Sequence, residues 1–207
     1  MSSTTIVSSR DRILYAGKTL FARNGYENTS TVAIARQAGT SESQLMKHFG
    51  SKQGLLTAIF DLGWSGILQR VRALRAAPDG SPKMLLDVLA ALMLELDRDP
   101  EMKTLLMLES RRVSKDSADL TVSQGFLQFS EFLESILTGL QDHGVLRSGL
   151  NVKMMRAALF GVVEGITFDQ LAHARNGESQ DYVPADCQRM LAAMIAGLTN
   201  GQVVTAA

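Results

Sequence analysis

STVAIARQAGTSESQLMKHFGSK, residues 30–52, reads as two short amphipathic helices with a tight break between them. In the first, Ile34, Ala35 and Ala38 recur at helical spacing behind the hydroxyls of Thr29, Ser30 and Thr31, any of which can cap it. Gly39 follows at the position where a helix stops in the left-handed conformation that glycine adopts without strain. Ser41 restarts the chain, and Gln44 stands three residues on, as in a capping box. Leu45 and Phe49, four apart, give the second helix one apolar edge. Glu42, Ser43, Gln44, Met46, Lys47 and His48 are left facing outward. Two short helices, a glycine turn and a polar outer face make a helix-turn-helix, whose second helix fits the DNA major groove.

The outward residues carry the chemistry this geometry needs. Gln44 can bond an adenine edge bidentately, and Lys47 can donate to guanine or to a phosphate. His48 and Lys52 are placed for phosphates, with the hydroxyls of Ser30, Thr31 and Ser43 and the amides at the two helix starts, Ser41 among them. The plainer alternative is that Gln44 only completes the cap on Ser41 and that Lys47 is a solvated charge.

Around this core the chain resembles the DNA-binding domain of the tetracycline-repressor (TetR) family. The matching pieces are Ile13-Leu14-Tyr15-Ala16-Gly17, Leu20-Phe21-Ala22, Gly25-Tyr26, Thr29-Ser30, Ile34-Ala35, Ala38-Gly39, Ser41, Leu45, His48-Phe49, Ser51-Lys52 and Leu55-Leu56. The family usually has a tyrosine, commonly on a DNA phosphate, where this chain has Met46, so the resemblance does not carry that contact over. It implies a dimer paired through the last two long helices and an effector pocket in the bundle between.

Composition agrees with a folded, all-α chain. Of 207 residues, 45% are hydrophobic, enough for a core and too many for general disorder. Lysine plus arginine equals aspartate plus glutamate, 21 each, so total charge predicts no nucleic-acid binding. Its distribution says more. Residues 1–64 hold seven basic side chains (Arg10, Arg12, Lys18, Arg23, Arg36, Lys47, Lys52) against four acidic ones, a net of +3, and the remainder carries −3. Cys187 stands alone, which excludes a disulfide framework within the chain and fits a reducing compartment. MSSTTIVSSR lacks the apolar stretch of a signal peptide, and Met84–Leu96 is broken by Asp87 and Glu95 and is too short to span a bilayer. A cytoplasmic protein with no membrane partner is expected.

The organisation follows from periodicity and breakers. Residues 1–9 read as a frayed start, 10–56 as the DNA-binding domain, 57–200 as an effector-binding and dimerisation domain, and 201–207 as a loose tail. Helices are predicted near 10–24, in the two halves of 30–50, then 52–76, 82–97, 100–113, 120–142, 151–175 and 184–199, about nine in all, with no β-period stretch. The helix from Lys52 is long enough to link the two domains.

The C-terminal candidates are these. Ala157, Gly161 and Gly165 lie four apart on one stripe, and the last helix adds Leu191, Met194, Ile195 and Leu198, a face for a second subunit. The opposing view packs that stripe inside the monomer. The bundle is rich in Met and Phe, including Met84, Met102 and Phe168, and Trp64, Met93, Met107, Arg111, Phe126, Phe129, Phe160 and Glu164 are candidate pocket residues for a small, hydrophobic effector, with plain core as the rival reading. Asp169 and His173, four apart, are too few for a metal site, and there is no phosphate loop, nucleophile elbow or HExxH. No cofactor, metal or catalytic residue is expected. The first reading is a repressor that binds a near-palindromic operator as a dimer and is released by its effector. The alternatives are an activator or ligand-independent regulator of the same fold, and an all-α ligand-binding bundle with a vestigial helix-turn-helix.

Overall fold

The computed structural model describes residues 8–73, 81–109, 122–177 and 182–200. Among these the chain is all-helical, its one β feature an isolated bridge between Leu146 and Thr199. The helices are α1 (Ser9–Asn24), α2 (Thr31–Gln37), α3 (Glu42–Phe49), α4 (Lys52–Ala73), α5 (Lys83–Arg98), α6 (Pro100–Glu109), α7 (Gln124–Asp142), α8 (Val152–Asn176) and α9 (Pro184–Leu198). They form two compact units: residues 1–64 with 100–126, and residues 65–99 with 127–207. The expected loop at 78–82, the connector at 114–119 and both chain ends lie wholly or largely outside the described residues.

In the first unit α1 packs against α2, α3 and α6. Ile13, Phe21, Ile34, Leu45 and Leu55 are its fully buried centre. The three hydroxyls before α2 divide the work. Ser30 is the cap, accepting from the Ala33 amide at 3.1 Å. Thr29 is buried and donates to the Gly25 carbonyl at 2.8 Å, closing the turn after α1. Thr31 donates to the Glu42 carboxylate and so ties α2 to α3. Gly39 turns the chain at φ +61°, the left-handed conformation its place in the sequence required.

Glu101, on the first turn of α6, holds that helix to α1. It accepts from the Thr19 hydroxyl at 3.0 Å and lies 3.9 Å from Lys18 and 3.7 Å from Arg23. Deeper in the unit, the buried Glu109 accepts from the Trp64 indole at 2.8 Å and from the Ser123 amide at 2.7 Å. That second bond corrects a boundary. A helix was expected from about residue 120, but α7 starts at Gln124. Ser123 is its cap, its hydroxyl accepting from the Phe126 amide at 3.2 Å, and Asp61 takes the Gly125 amide at 2.9 Å, so side chains satisfy the donors that open α7.

In the second unit α5 packs on α9 and α8. Leu85, Leu89, Phe129, Leu133, Leu137, Leu159, Leu191 and Ile195 have no exposed surface. Asn151 caps α8 through the Met154 amide. Pro184 sits at the first position of α9, where its missing N–H costs nothing. No described helix is long and apolar enough to cross a membrane.

The join of α3 to α4 depends on close backbone approach. A Cβ on Gly54 would stand 2.1 Å from the Phe49 carbonyl oxygen, which is backbone and cannot swing aside. At Gly66, on the same helix, a Cβ would meet only the end of the Arg70 side chain at 3.5 Å. Gly54→Ala is therefore expected to destabilise by about 1–3 kcal/mol, whereas Gly66→Ala is expected to be neutral or stabilising by up to about 1 kcal/mol. Thermal unfolding followed by circular dichroism checks the pair, and equal midpoints for the two variants would refute the close-approach account.

Candidate nucleic-acid interface

α3 is held by one buried side chain and several polar ties. Leu45 is 0% exposed, and Phe49 is half-buried beneath the Arg10 guanidinium, 5.4 Å from its ring centroid. Ser41 caps the helix, accepting from the Gln44 amide at 3.3 Å, and its hydroxyl also meets that of Ser43 at 2.8 Å. Glu42 is held by Thr31, and His48 Nε2 lies 3.0 Å from the Ser9 hydroxyl. Among the described residues only the Ser41 half of a capping box forms. The Gln44 side chain, exposed, makes no return bond. Gln44, Met46 and Lys47 thus stand on the outer face without an internal polar partner among the described residues, while Ser41, Ser43, Glu42 and His48 are each engaged.

Lys52 is placed differently from Lys47. Its ammonium donates to the Tyr26 carbonyl at 3.0 Å and the Thr29 carbonyl at 3.1 Å and lies 4.2 Å from the centroid of the Tyr26 ring. Two of its three protons therefore hold the α1–α2 connection, leaving one for a phosphate. Sequence reasoning assigned Lys52 to phosphate alone; the carbonyl clamp needs the fold, because Tyr26 and Lys52 are 26 residues apart. Ser9 and Arg10 were missed for the same reason. Their positions at the start of α1 signalled nothing until that helix came to lie against α3.

In the second unit the small-residue stripe faces outward. Ala157, Gly161 and Gly165 are exposed, and a Cβ on either glycine would meet nothing within 4 Å. Met154, Phe168 and Met190 are also exposed, at 74%, 49% and 57%. Met194 and Leu198 are half-buried. Leu191 and Ile195, grouped with this face by sequence, are fully buried within the subunit because α9 turns that edge toward α5, so they have no surface to offer a partner. An apolar groove of about 380 Å³ continues from Gly165 between α8 and α9, lined further by Ile166, Asp169, Tyr182, Cys187 and Met190. In it Tyr182 donates to Asp169 at 2.9 Å; burial first, and then that hydrogen bond, push its pKa up to about 12. Asp169 and His173 make local contacts along α8, and no described cluster of His, Cys, Asp or Glu could hold a metal ion.

The expected pocket residues divide between the units. Trp64 and Phe126 stack edge-on at 5.4 Å in the first, where Met107 is half-buried. Phe129 and Phe160 stack edge-on at 5.7 Å in the second, with Met93 buried and Glu164 half-buried. None of these lines the α8–α9 groove. Arg111 lies outside the described residues. Phe168, counted with the Met- and Phe-rich interior by sequence, sits on the outer face of α8.

Residues 13–59 match the family model for bacterial regulatory proteins, tetR family. The fatty acid metabolism regulator protein of Bacillus subtilis is 23% identical over 154 residues, covering 74% of this chain and 78% of that protein. The nucleoid occlusion factor SlmA of Shewanella woodyi is 24% identical over 169 residues, covering 80% and 84%. The crystal structure of the transcriptional regulator FadR from B. subtilis in complex with stearoyl-CoA superposes with a TM-score of 0.74 at 20% identity, covering 92% of this chain and 98% of that one. The helix-turn-helix, α2 and α3, lies within the residues that match the tetR-family model.

The two lysines should separate in experiment. Lys52→Ala leaves two half-buried carbonyls without their charged donor and is expected to lower stability by about 1.5–3 kcal/mol. Lys47→Ala is expected to leave the denaturation midpoint unchanged and to flatten the slope of log affinity for DNA against log salt by about one unit. Urea denaturation and salt-dependent binding to one duplex measure both, and an unchanged midpoint for Lys52→Ala would rule out the clamp.

Proposed function

We propose that this regulator is a repressor that binds a near-palindromic operator as a homodimer and leaves it when a small, largely apolar effector occupies the C-terminal bundle. The observation that carries the DNA side is α3 itself, a capped and anchored helix whose Gln44 and Lys47 point outward with no polar partner among the described residues. Gln44 suits an adenine edge and Lys47 a guanine or a phosphate. Ser30, Ser43, His48 and the remaining proton of Lys52 are suited to the backbone. One chain presents one reading helix, so a two-fold operator calls for two chains with their helices about one DNA turn apart, roughly 34–36 Å. The intact cap and anchoring of α3 favour this over a vestigial helix-turn-helix.

The open face of α8, with the adjoining surface of α9, supports pairing there. Ala157, Gly161 and Gly165 let a partner helix approach closely, and Met154, Phe168 and Met190 supply apolar area to bury. Stearoyl-CoA in the B. subtilis FadR complex supports a long-chain acyl thioester as the first effector to try. Phe129, Phe160 and Met93 are apolar side chains of the kind such a chain packs against.

A mobility-shift assay on the DNA flanking the gene tests the proposal. If the dimer neutralises about 6–10 phosphates, affinity falls by roughly three to five decades between 50 and 200 mM salt. Gly161→Leu and Gly165→Leu are expected to hold the partner helix away, so sedimentation at micromolar concentration shows monomer or aggregate with helix content kept; a clean dimer from both places the interface elsewhere. Effector and operator should oppose each other reciprocally, each weakening the other about 5–150-fold. Calorimetric titration of stearoyl-CoA with and without operator reads that factor, and equal affinity for bound ligand in both titrations removes effector-driven release.

A further inference from the structure

The outer face of α3 carries one side chain that the phosphate backbone cannot use. Met46 is 45% exposed, on a helix whose other outward residues are Glu42, Ser43, Gln44, Lys47 and His48. At 100° per residue, Met46 and Gln44 flank the line through Ser43 and Lys47, opposite the buried Leu45. A helix inserted with Lys47 toward the groove floor therefore carries Met46 in with it. A thioether has no proton to donate and accepts only weakly, so against a phosphate Met46 would lose water and gain nothing. Within the major groove the base edges present donors, acceptors and a single apolar group, the C5 methyl of thymine. Met46 also has the reach and three rotatable bonds to settle on a methyl group without demanding one backbone geometry.

We propose that Met46 is a specificity-determining residue that selects a thymine in each half-site by packing its side chain on the thymine methyl. The assignment rests on the DNA-binding reading above and adds to it a base that no hydrogen bond would identify. It also predicts how α3 divides the half-site: Gln44 selects by hydrogen bonding, Met46 by apolar contact, and Lys47 adds charge. The engaged side chains support the division. On the flank that carries Met46 the polar neighbours are already engaged: Glu42 accepts from Thr31 and Ser43 meets Ser41.

The test starts from a randomised duplex, from which the full-length protein selects its own site. Each thymidine of the selected half-sites is then replaced in turn by deoxyuridine, which removes the methyl and leaves every hydrogen-bonding group in place. For the unmodified protein, one position per half-site is expected to lose about fourfold in affinity, the worth of one methyl returned to water. Met46→Ala, which removes the contact from both half-sites at once, is expected to lose about fifteenfold on the thymine duplex, to be indifferent to deoxyuridine at that position, and to keep its salt slope. Met46→Leu, which keeps the apolar contact, retains the discrimination. If no deoxyuridine position matters, or if Met46→Ala remains as sensitive as the parent, the thymine assignment is overturned while DNA binding stands. If no duplex is enriched by the parent protein at low salt, the DNA-binding reading itself fails.

Discussion

An eight-residue helix does not hold its shape in water. Forming the first turn fixes several backbone dihedrals for one hydrogen bond, and two turns of propagation cannot repay it. α3 is such a helix, and everything that makes it a reading element comes from outside it. Leu45 is sealed in the core of the first unit, Ser41 caps its start, Thr31 holds Glu42, Ser9 meets His48, and Arg10 covers Phe49. Each tie fixes the helix in position and in rotation. Rotation matters more for function, because it decides which side chains enter a groove and which face its walls.

The same ties sort the polar residues into two groups. Serine, threonine, histidine and lysine near a helix-turn-helix all look like phosphate contacts, since all can donate. In the fold, Thr29 closes a turn, Thr31 links two helices, and Lys52 spends two of its three protons on backbone carbonyls. These bonds leave the reading surface narrower than its list of polar residues suggests. A narrow surface suits specificity, because side chains locked by their own neighbours do not wander between bases. Lys52 combines both roles: it fixes the α1–α2 connection and still has a donor left for the backbone of a nucleic acid.

In the second unit, apolar side chains are divided by depth. Leu191 and Ile195 on α9 are in the core, whereas Met154, Phe168 and Met190 stay at the surface, as do two glycines that no described residue covers. Exposed apolar area next to small residues on a long helix is a poor arrangement for a lone chain in water. The net of −3 on residues 65–207, against +3 on residues 1–64, also keeps the anion-attracting part of the chain at the end that carries α3.

Much of this was legible in the sequence, and for a definite reason. Helix existence, caps and breaks are local: Ile34, Ala35 and Ala38 at helical spacing, Gly39 in the left-handed turn, Ser41 and Asn151 as caps and Pro184 at a helix start act through residues three or four positions away. The sequence alone therefore determined an all-α chain, its helices to within a few residues, and the helix-turn-helix with its outward face. What it could not determine are choices between equivalent local options. Thr29, Ser30 and Thr31 could each have capped α2, and only the burial of Thr29 and the arrival of Glu42 beside Thr31 left the cap to Ser30. Leu191 and Leu198 share an apolar face on a helical wheel, and only the packing of α9 on α5 buried the first completely and left the second partly open. α7 began at Gln124 because Glu109, 14 residues before Ser123, took that residue's amide. In each case the deciding partner lies beyond the reach of a helical turn, so its position is set by the packing of whole elements.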